Sequence, residues 1–178
     1  MTWRYAAYTG CMALIPLVEP ARNEYLAELE SKGKRENRFF RLLAHKPEAL
    51  KHFVPLYGTI MGPGSVDRRT KELAYLAASI ANECAYCTAA HKATARKAGI
   101  SEEEMRAIET EQYQDFSPSD RAVIQYAHEL TTEADANATN QALFRNFNDE
   151  QVVEITLVVA MANFTNRLNN GLDLEPEG

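Results

Sequence analysis

Residues able to do sulfur and proton chemistry crowd into one short stretch, Cys84-Ala-Tyr-Cys87-Thr-Ala-Ala-His91. Two cysteines three positions apart can interconvert between dithiol and disulfide, and a cysteine thiolate attacks peroxide oxygen. On a helix the three side chains fall within an arc of about 60°. His91, four residues after Cys87, can contact it directly. From Cys84 it lies about 10 Å along the axis, beyond hydrogen-bond reach. Cys87 is therefore the candidate for first attack on a peroxide, and Cys84 the thiol that traps its sulfenic acid as a disulfide.

The helix must begin at the cysteines for this to work. Gly99 is a stop signal, so the segment reads as a helix from about Cys84 to Ala98 with both cysteines in its first turn. Unpaired N–H groups and the positive dipole end favour an anion there. Such an environment lowers a thiol pKa from its usual value of about 8.5.

The rest of the chain supplies a helical frame. Pro20 to roughly Ser31 is amphipathic and stops at Gly33, and Arg38 to Ala44 is a short apolar helix. Pro47 opens a helix with Leu50, Phe53, Leu56, Tyr57, Ile60 and Met61, closed by Gly62-Pro-Gly-Ser. Asp67 caps a helix running to about Ala81, with Leu73, Leu76, Ala77 and Ile80 on one face. Ser101-Glu-Glu-Glu104 is a capping box, Ser117-Pro118 starts another helix, and a brief one spans 139–147. The longest helix runs from Asp149 to about Leu168. No segment alternates as a strand. The fold class is all-α, with about seven to nine helices in one domain over residues 1–178. Met1 to Cys11 reads as an extension peripheral to the fold, the stretch up to Pro20 as an untargeted, floppy lead-in, and Asp173 to Gly178 as a loose tail.

Bulk properties narrow the class. The 178 residues are 46% hydrophobic and 25% charged, an ordinary globular balance, with a formal net charge of -6. An acidic chain repels phosphate backbones, so no nucleic-acid partner is expected. No apolar run reaches the length of a membrane span, and no secretory signal pattern is present, which points to the cytoplasm. Three cysteines do not make a disulfide framework, and Cys11 reads as a bystander.

The pattern Glu72, eleven residues, Cys84-x-x-Cys87, three residues, His91 is similar to the alkylhydroperoxidase D-like, or carboxymuconolactone decarboxylase-like, family. Lys71-Glu72-Leu73, Ala98-Gly99-Ile100-Ser101 and the closing Asn163, Asn166, Arg167 and Leu168 resemble it too, over residues 12 to 170. Glu72 stands at the edge of its helix's apolar face, and the family pattern singles it out from 25 acidic residues. The resemblance implies an all-helical fold in trimers or hexamers and disulfide-linked peroxidase activity. By position it makes Glu72 and His91 the proton relay, Cys87 the peroxidatic thiol and Cys84 the resolving thiol. It implies no bound cofactor or metal, and an external dithiol or redox protein as reductant. Residue 86 is Tyr where a well-known form of the motif has a histidine.

Other readings of the same residues stand beside this one. Cys84, Cys87 and His91 with His45, His52 or His128 could bind structural zinc, although three ligands along one helix converge poorly on a tetrahedral ion. The cysteines could be inert core residues. Tyr86 reads as packing, and Asn163, Asn166 and Arg167 as pocket lining or a buried polar network. At the level of function the rivals are a carboxylactone lyase, a thiol carrier without peroxidase activity, and a helical assembly module.

Overall fold

A computed structural model describes residues 12–32 and 37–176. Among these the chain forms a 3₁₀ turn, Pro20–Arg22, and nine helices: α1 Glu24–Ser31, α2 Arg38–Leu43, α3 Pro47–Met61, α4 Arg68–Ala81, α5 Ala85–Lys97, α6 Glu102–Glu109, α7 Pro118–Thr132, α8 Asn140–Asn146 and α9 Asp149–Gly171. No strand occurs among the described residues. The expected extension 1–11, with Cys11, and the expected stop at Gly33 lie outside them.

The hub is α4, which packs against α5, α7 and α9. Asp67 caps it, its carboxylate accepting from the Thr70 N–H at 2.8 Å. The expected apolar face is present, but the helix is buried almost all round, from Thr70 to Ser79. Ala74, Ala77, Ala78 and Ser79 are small enough to let three neighbours approach at once. Two charged residues, Lys71 and Glu72, are thereby taken out of water, and each is paired, as burial of a charge requires. Lys71 donates to the carbonyls of Ile60 (2.8 Å) and Gly62 (2.6 Å) and pairs with Glu154 of α9. Glu154 in turn accepts from the Ser65 N–H at 2.7 Å and the Val66 N–H at 3.1 Å, which fastens the loop entering α4 to α9.

The start of α5 is fixed from both sides. The turn after α4 passes through Glu83 at φ 52°, a left-handed conformation, and brings Cys84 to the helix N-cap. Leu73, Leu76, Ile124, Ile155, Val158 and Val159 form the fully buried centre between α4, α7 and α9. Capping boxes at Ser101/Glu104 and Asn148/Gln151 start α6 and α9.

Two expectations are corrected. The helix read from Pro20 to Ser31 is broken at Asn23. That side chain caps α1 by accepting from Leu26 N–H (3.0 Å) and donates to the Ala44 carbonyl (3.3 Å), a better use of an asparagine than a helix interior. The terminal segments are also held rather than loose. Leu14 N–H donates to the Leu172 carbonyl at 2.8 Å and Glu175 N–H to the Met12 carbonyl at 2.9 Å. Ala13 and Leu174 are buried, and Arg38 donates to the carbonyls of Glu175 and Pro176. The lead-in from Met12 and the tail as far as Pro176 therefore close over each other and over α2.

Candidate active site

Helices α4 and α5 meet so that Glu72, Cys84, Cys87 and His91 share one buried region, and α3 and α9 complete it. All four residues are at most 7% exposed. Cys84 is the N-cap of α5, where its sulfur accepts from the Cys87 N–H at 3.5 Å, and Cys87 sits in the first turn. Both cysteines are reduced.

The environments of the two sulfurs differ. The Cys84 thiol donates a hydrogen bond to the Cys87 sulfur, and this is the largest influence lowering the Cys87 pKa. Burial opposes it. Asn169 Nδ2, 3.0 Å from the sulfur, and Asn166 reinforce it, as does the charge of His91. Cys87 is thus held well below the ordinary thiol value, while the same hydrogen bond and burial push Cys84 up. The two titrate as a pair: Cys87 carries the negative charge and Cys84 keeps its proton. We expect iodoacetamide alkylation of Cys87 to titrate with a midpoint below the ordinary thiol value of about 8.5. Cys84→Ala, which removes the donor, should raise that midpoint. A wild-type midpoint at or above the ordinary value would contradict this account of the site.

His91 does not hydrogen-bond Cys87, contrary to the expected direct contact. Its Nδ1–H donates to Glu72 Oε2 at 2.8 Å, and its Nε2 faces the Tyr57 hydroxyl at 3.4 Å. The ring stacks on Tyr75, centroids 3.5 Å apart at 12°. Both nitrogens and one face are therefore committed, which fixes the orientation of the imidazole. Glu72 Oε2 also accepts from the Thr94 hydroxyl at 2.8 Å. Arg68 Nη2 stands 2.5 Å from Glu72 Oε1 as an ion pair, without the alignment of a hydrogen bond. Burial works to raise the Glu72 pKa. The bonds from His91 and Thr94 and the Arg68 charge outweigh it and hold the carboxyl below its usual range.

Cys87 and His91 open onto a pocket of about 100 Å³ walled by Phe39, Phe40, Phe53, Tyr57, Tyr75, Tyr86 and Ala90, with Asn37, Thr165 and Asn169 as its polar lining. Tyr86 thus lines the pocket as well as packing: its hydroxyl is 3.3 Å from Asn37 Oδ1 and from the Phe39 N–H. Asn169 Oδ1 is buried and has no hydrogen-bond partner among the described residues.

Of the expected polar network, Asn82 donates to Asn163 (3.0 Å) and Asn166 (2.9 Å), and Asn166 donates to Ser79 at 3.2 Å. Arg167 is exposed and takes no part. His45 is engaged with the Pro16 carbonyl and His128 lies 3.7 Å from Glu111. Among the described residues no three His, Cys, Asp or Glu side chains converge as metal ligands. Tyr57, Tyr75, Thr165, Asn169 and Arg68 were not foreseen. Asn169 stands three residues after Asn166 and shares its helix face, a signal that helical periodicity does contain.

Residues 47–129, which include Glu72, both cysteines and His91, match the family model described as the carboxymuconolactone decarboxylase family. The Bacillus subtilis (strain 168) protein YdfG, itself uncharacterized, is 28% identical over 109 residues, 59% of this chain and 74% of that protein. A structure from Ralstonia eutropha JMP134, described as an alkylhydroperoxidase AhpD core and an uncharacterized peroxidase-related protein, superposes with a TM-score of 0.81. It is 23% identical and the match covers 95% of this chain and 94% of that one. The debrominase Bmp8 superposes with a TM-score of 0.79 at 18% identity, over 97% of this chain and 95% of its own. A cysteine variant of Bmp8 has been solved with 2,3,4-tribromopyrrole. The segment that matches the carboxymuconolactone decarboxylase family model carries the helix pair that builds the site, and the all-helical chain has the alkylhydroperoxidase D-like fold.

Proposed function

We propose that the protein reduces hydroperoxides through the Cys84–Cys87 pair. The observation that carries this reading is the placement of the Cys87 sulfur, favoured as a thiolate, at an aromatic pocket with a second thiol bonded to it. Asn169 Oδ1, a buried acceptor at the pocket without a partner among the described residues, matches the O–H of a hydroperoxide.

The steps follow from the geometry. Cys87 enters the cycle as the thiolate, and Glu72 stabilises the imidazolium form of His91 through Nδ1. The Cys87 thiolate attacks the oxygen that bears the hydrogen, breaking the O–O bond and forming the sulfenic acid. The departing alkoxide takes a proton from the Tyr57 hydroxyl, which regains one from His91 Nε2, so the alcohol leaves neutral and His91 ends neutral. The Cys84 thiol then displaces hydroxide from the sulfenic sulfur, giving a disulfide and water. A dithiol from outside resets the pair by exchange, and the cycle needs no resident cofactor or metal.

Intact mass and thiol counting after one equivalent of cumene hydroperoxide test this reading. Wild type should lose about two mass units and two thiols as the disulfide closes, and Cys84→Ser should gain one oxygen. Cysteines that remain reduced in both would remove the peroxidase reading. A flat halogenated ring is a second substrate that the six-ring wall would accept, as the likeness to Bmp8 suggests. Bromide release from a bromopyrrole, with no consumption of peroxide, would establish it. Val153, Leu157 and Phe164 leave an exposed apolar stripe along α9, which supports the expectation of a homo-oligomer. Among the described residues no helix is long and apolar enough to cross a membrane.

A further inference from the structure

Tyr86 stands between the two cysteines in the first turn of α5, and its hydroxyl reaches the start of α2. The hydroxyl is used twice there. It accepts from the Phe39 N–H at 3.3 Å and donates to Asn37 Oδ1 at 3.3 Å. That oxygen is the cap of α2, which also accepts from the Phe40 N–H at 3.1 Å. A side chain of α5 thus completes the N-terminus of α2, where the first N–H groups of a helix have no partner of their own.

The contact matters because α2 has only six residues. A helix this short does not hold itself, and its position comes from whatever fastens it. Arg41 fastens it to the lead-in, donating to the Val18 carbonyl at 3.0 Å and pairing with Glu19 at 2.6 Å. Tyr86 fastens it on the pocket side. Between these ties α2 carries Phe39 and Phe40, two of the rings that wall the pocket. Phe39 meets Phe53 edge-on, with centroids 5.1 Å apart.

From this arrangement we infer that Tyr86 is a positioning residue that sets the size of the molecule able to reach Cys87. It latches α2 against the pocket, and the latched wall admits an organic group of the bulk of a single ring. A closed apolar cavity of about 150 Å³ holds one benzene. This pocket, of about 100 Å³ and open at its mouth, takes a group of that order and excludes a fused ring system. The inference deepens the hydroperoxide reading and rests on it for the substrate class: hydroperoxides with a compact apolar group. Tyr86→Phe keeps the ring in the wall and removes the latch. The wall is then free to swing outward, while the hydrogen bonds to the Cys87 sulfur from Cys84 and Asn169 stay in place.

Alkylation of the reduced protein tests the latch without peroxide. Iodoacetamide and N-(1-pyrenyl)iodoacetamide carry the same electrophile and differ in bulk, and peptide mapping reads the rate at Cys87. Scaled to the rates with glutathione, wild type should favour the small reagent by about a hundredfold. Tyr86→Phe should cut that preference by about tenfold and leave the iodoacetamide rate within about threefold of wild type. Asn37→Asp, which keeps an acceptor for both the Tyr86 hydroxyl and the Phe40 N–H, should retain the wild-type preference. Absence of a preference in wild type would overturn the inference, as would an equal change for both reagents in Tyr86→Phe or no change for either. First-turnover oxidation should follow the same order. Cumene hydroperoxide should react alike with both proteins, and the fused-ring cholesterol hydroperoxide faster with Tyr86→Phe. Oxidation by neither peroxide would remove the peroxidase reading and leave the alkylation ratios to decide the latch.

Discussion

Replacing Cys87 by serine should lower the rate of hydroperoxide reduction by at least about 10³-fold, some 4 kcal/mol of barrier. Serine keeps the side-chain shape and can still accept from Asn169. It does not ionise at neutral pH, so the hydrogen bonds that favour the anion have no nucleophile to act on. Cys84→Ser should behave differently. Its hydroxyl can still donate to Cys87 and still accept from the Cys87 N–H, so the first oxidation should proceed within about tenfold of wild type while turnover stops for want of a disulfide. Stopped-flow consumption of cumene hydroperoxide, with single and multiple turnovers compared, separates the two. Equal loss in the first turnover for both variants would remove the assignment of Cys87 as the attacking thiol.

Removing the Glu72 side chain carries the other large effect. In Glu72→Ala the buried His91 Nδ1–H and the Thr94 hydroxyl lose their shared acceptor, and the half-exposed Arg68 loses its counter-charge. Breaking a buried pair in this way costs about 3–5 kcal/mol, which for a chain of this size lowers Tm by about 10 °C. Glu72→Gln retains an acceptor for Nδ1–H and should fold with a smaller loss. Without the negative charge behind the imidazole, its first oxidation should slow by about 10²-fold. The pH dependence has a definite sign. The folded carboxyl titrates below its unfolded value, so its contribution is complete above the usual carboxylate range and is lost as the pH falls through the folded pKa. The stability gap between wild type and Glu72→Gln, measured by urea unfolding, should be constant from about pH 6 to 8 and close below about pH 4. A gap that widened on acidification would contradict the assignment.

The cysteine spacing, the helix stop at Gly99, the caps at Asp67 and Ser101 and the apolar periodicities were sufficient for the all-helical frame and for the position of the cysteines at the start of α5. Those signals are local, and local signals are what a sequence states most directly. Glu72 differs. Its burial follows from three helices closing on α4, and no pattern within α4 distinguishes it from a solvated glutamate. Tyr57 was legible only as an apolar position of α3, because its approach to His91 depends on how α3 crosses α5. The expected Cys87–His91 contact failed for the same reason. Helical spacing brings the two within reach, but Glu72 and Tyr57 compete for the ring nitrogens and take them. The loose tail was misread from its charge, since the acidic residues flank a buried Leu174 and backbone bonds that composition does not reveal.

The sulfur of Cys84 is also the cap of the helix on which Cys87 rides. In the dithiol it accepts the Cys87 N–H and its own hydrogen bonds the Cys87 sulfur, to which Asn169 also donates. A disulfide gives up the thiol donor outright and leaves a poorer acceptor at the cap. A helix cap is worth about 0.5–2 kcal/mol. Contacts made only by the reduced form move a dithiol–disulfide couple toward more positive potential, by about 30 mV for each 1.4 kcal/mol. The cap alone therefore makes the oxidised protein a stronger electron acceptor by about 10–40 mV than an unconstrained pair of the same sequence. The architecture that favours the Cys87 thiolate would also set a Cys84–Cys87 disulfide on an incline toward its own reduction.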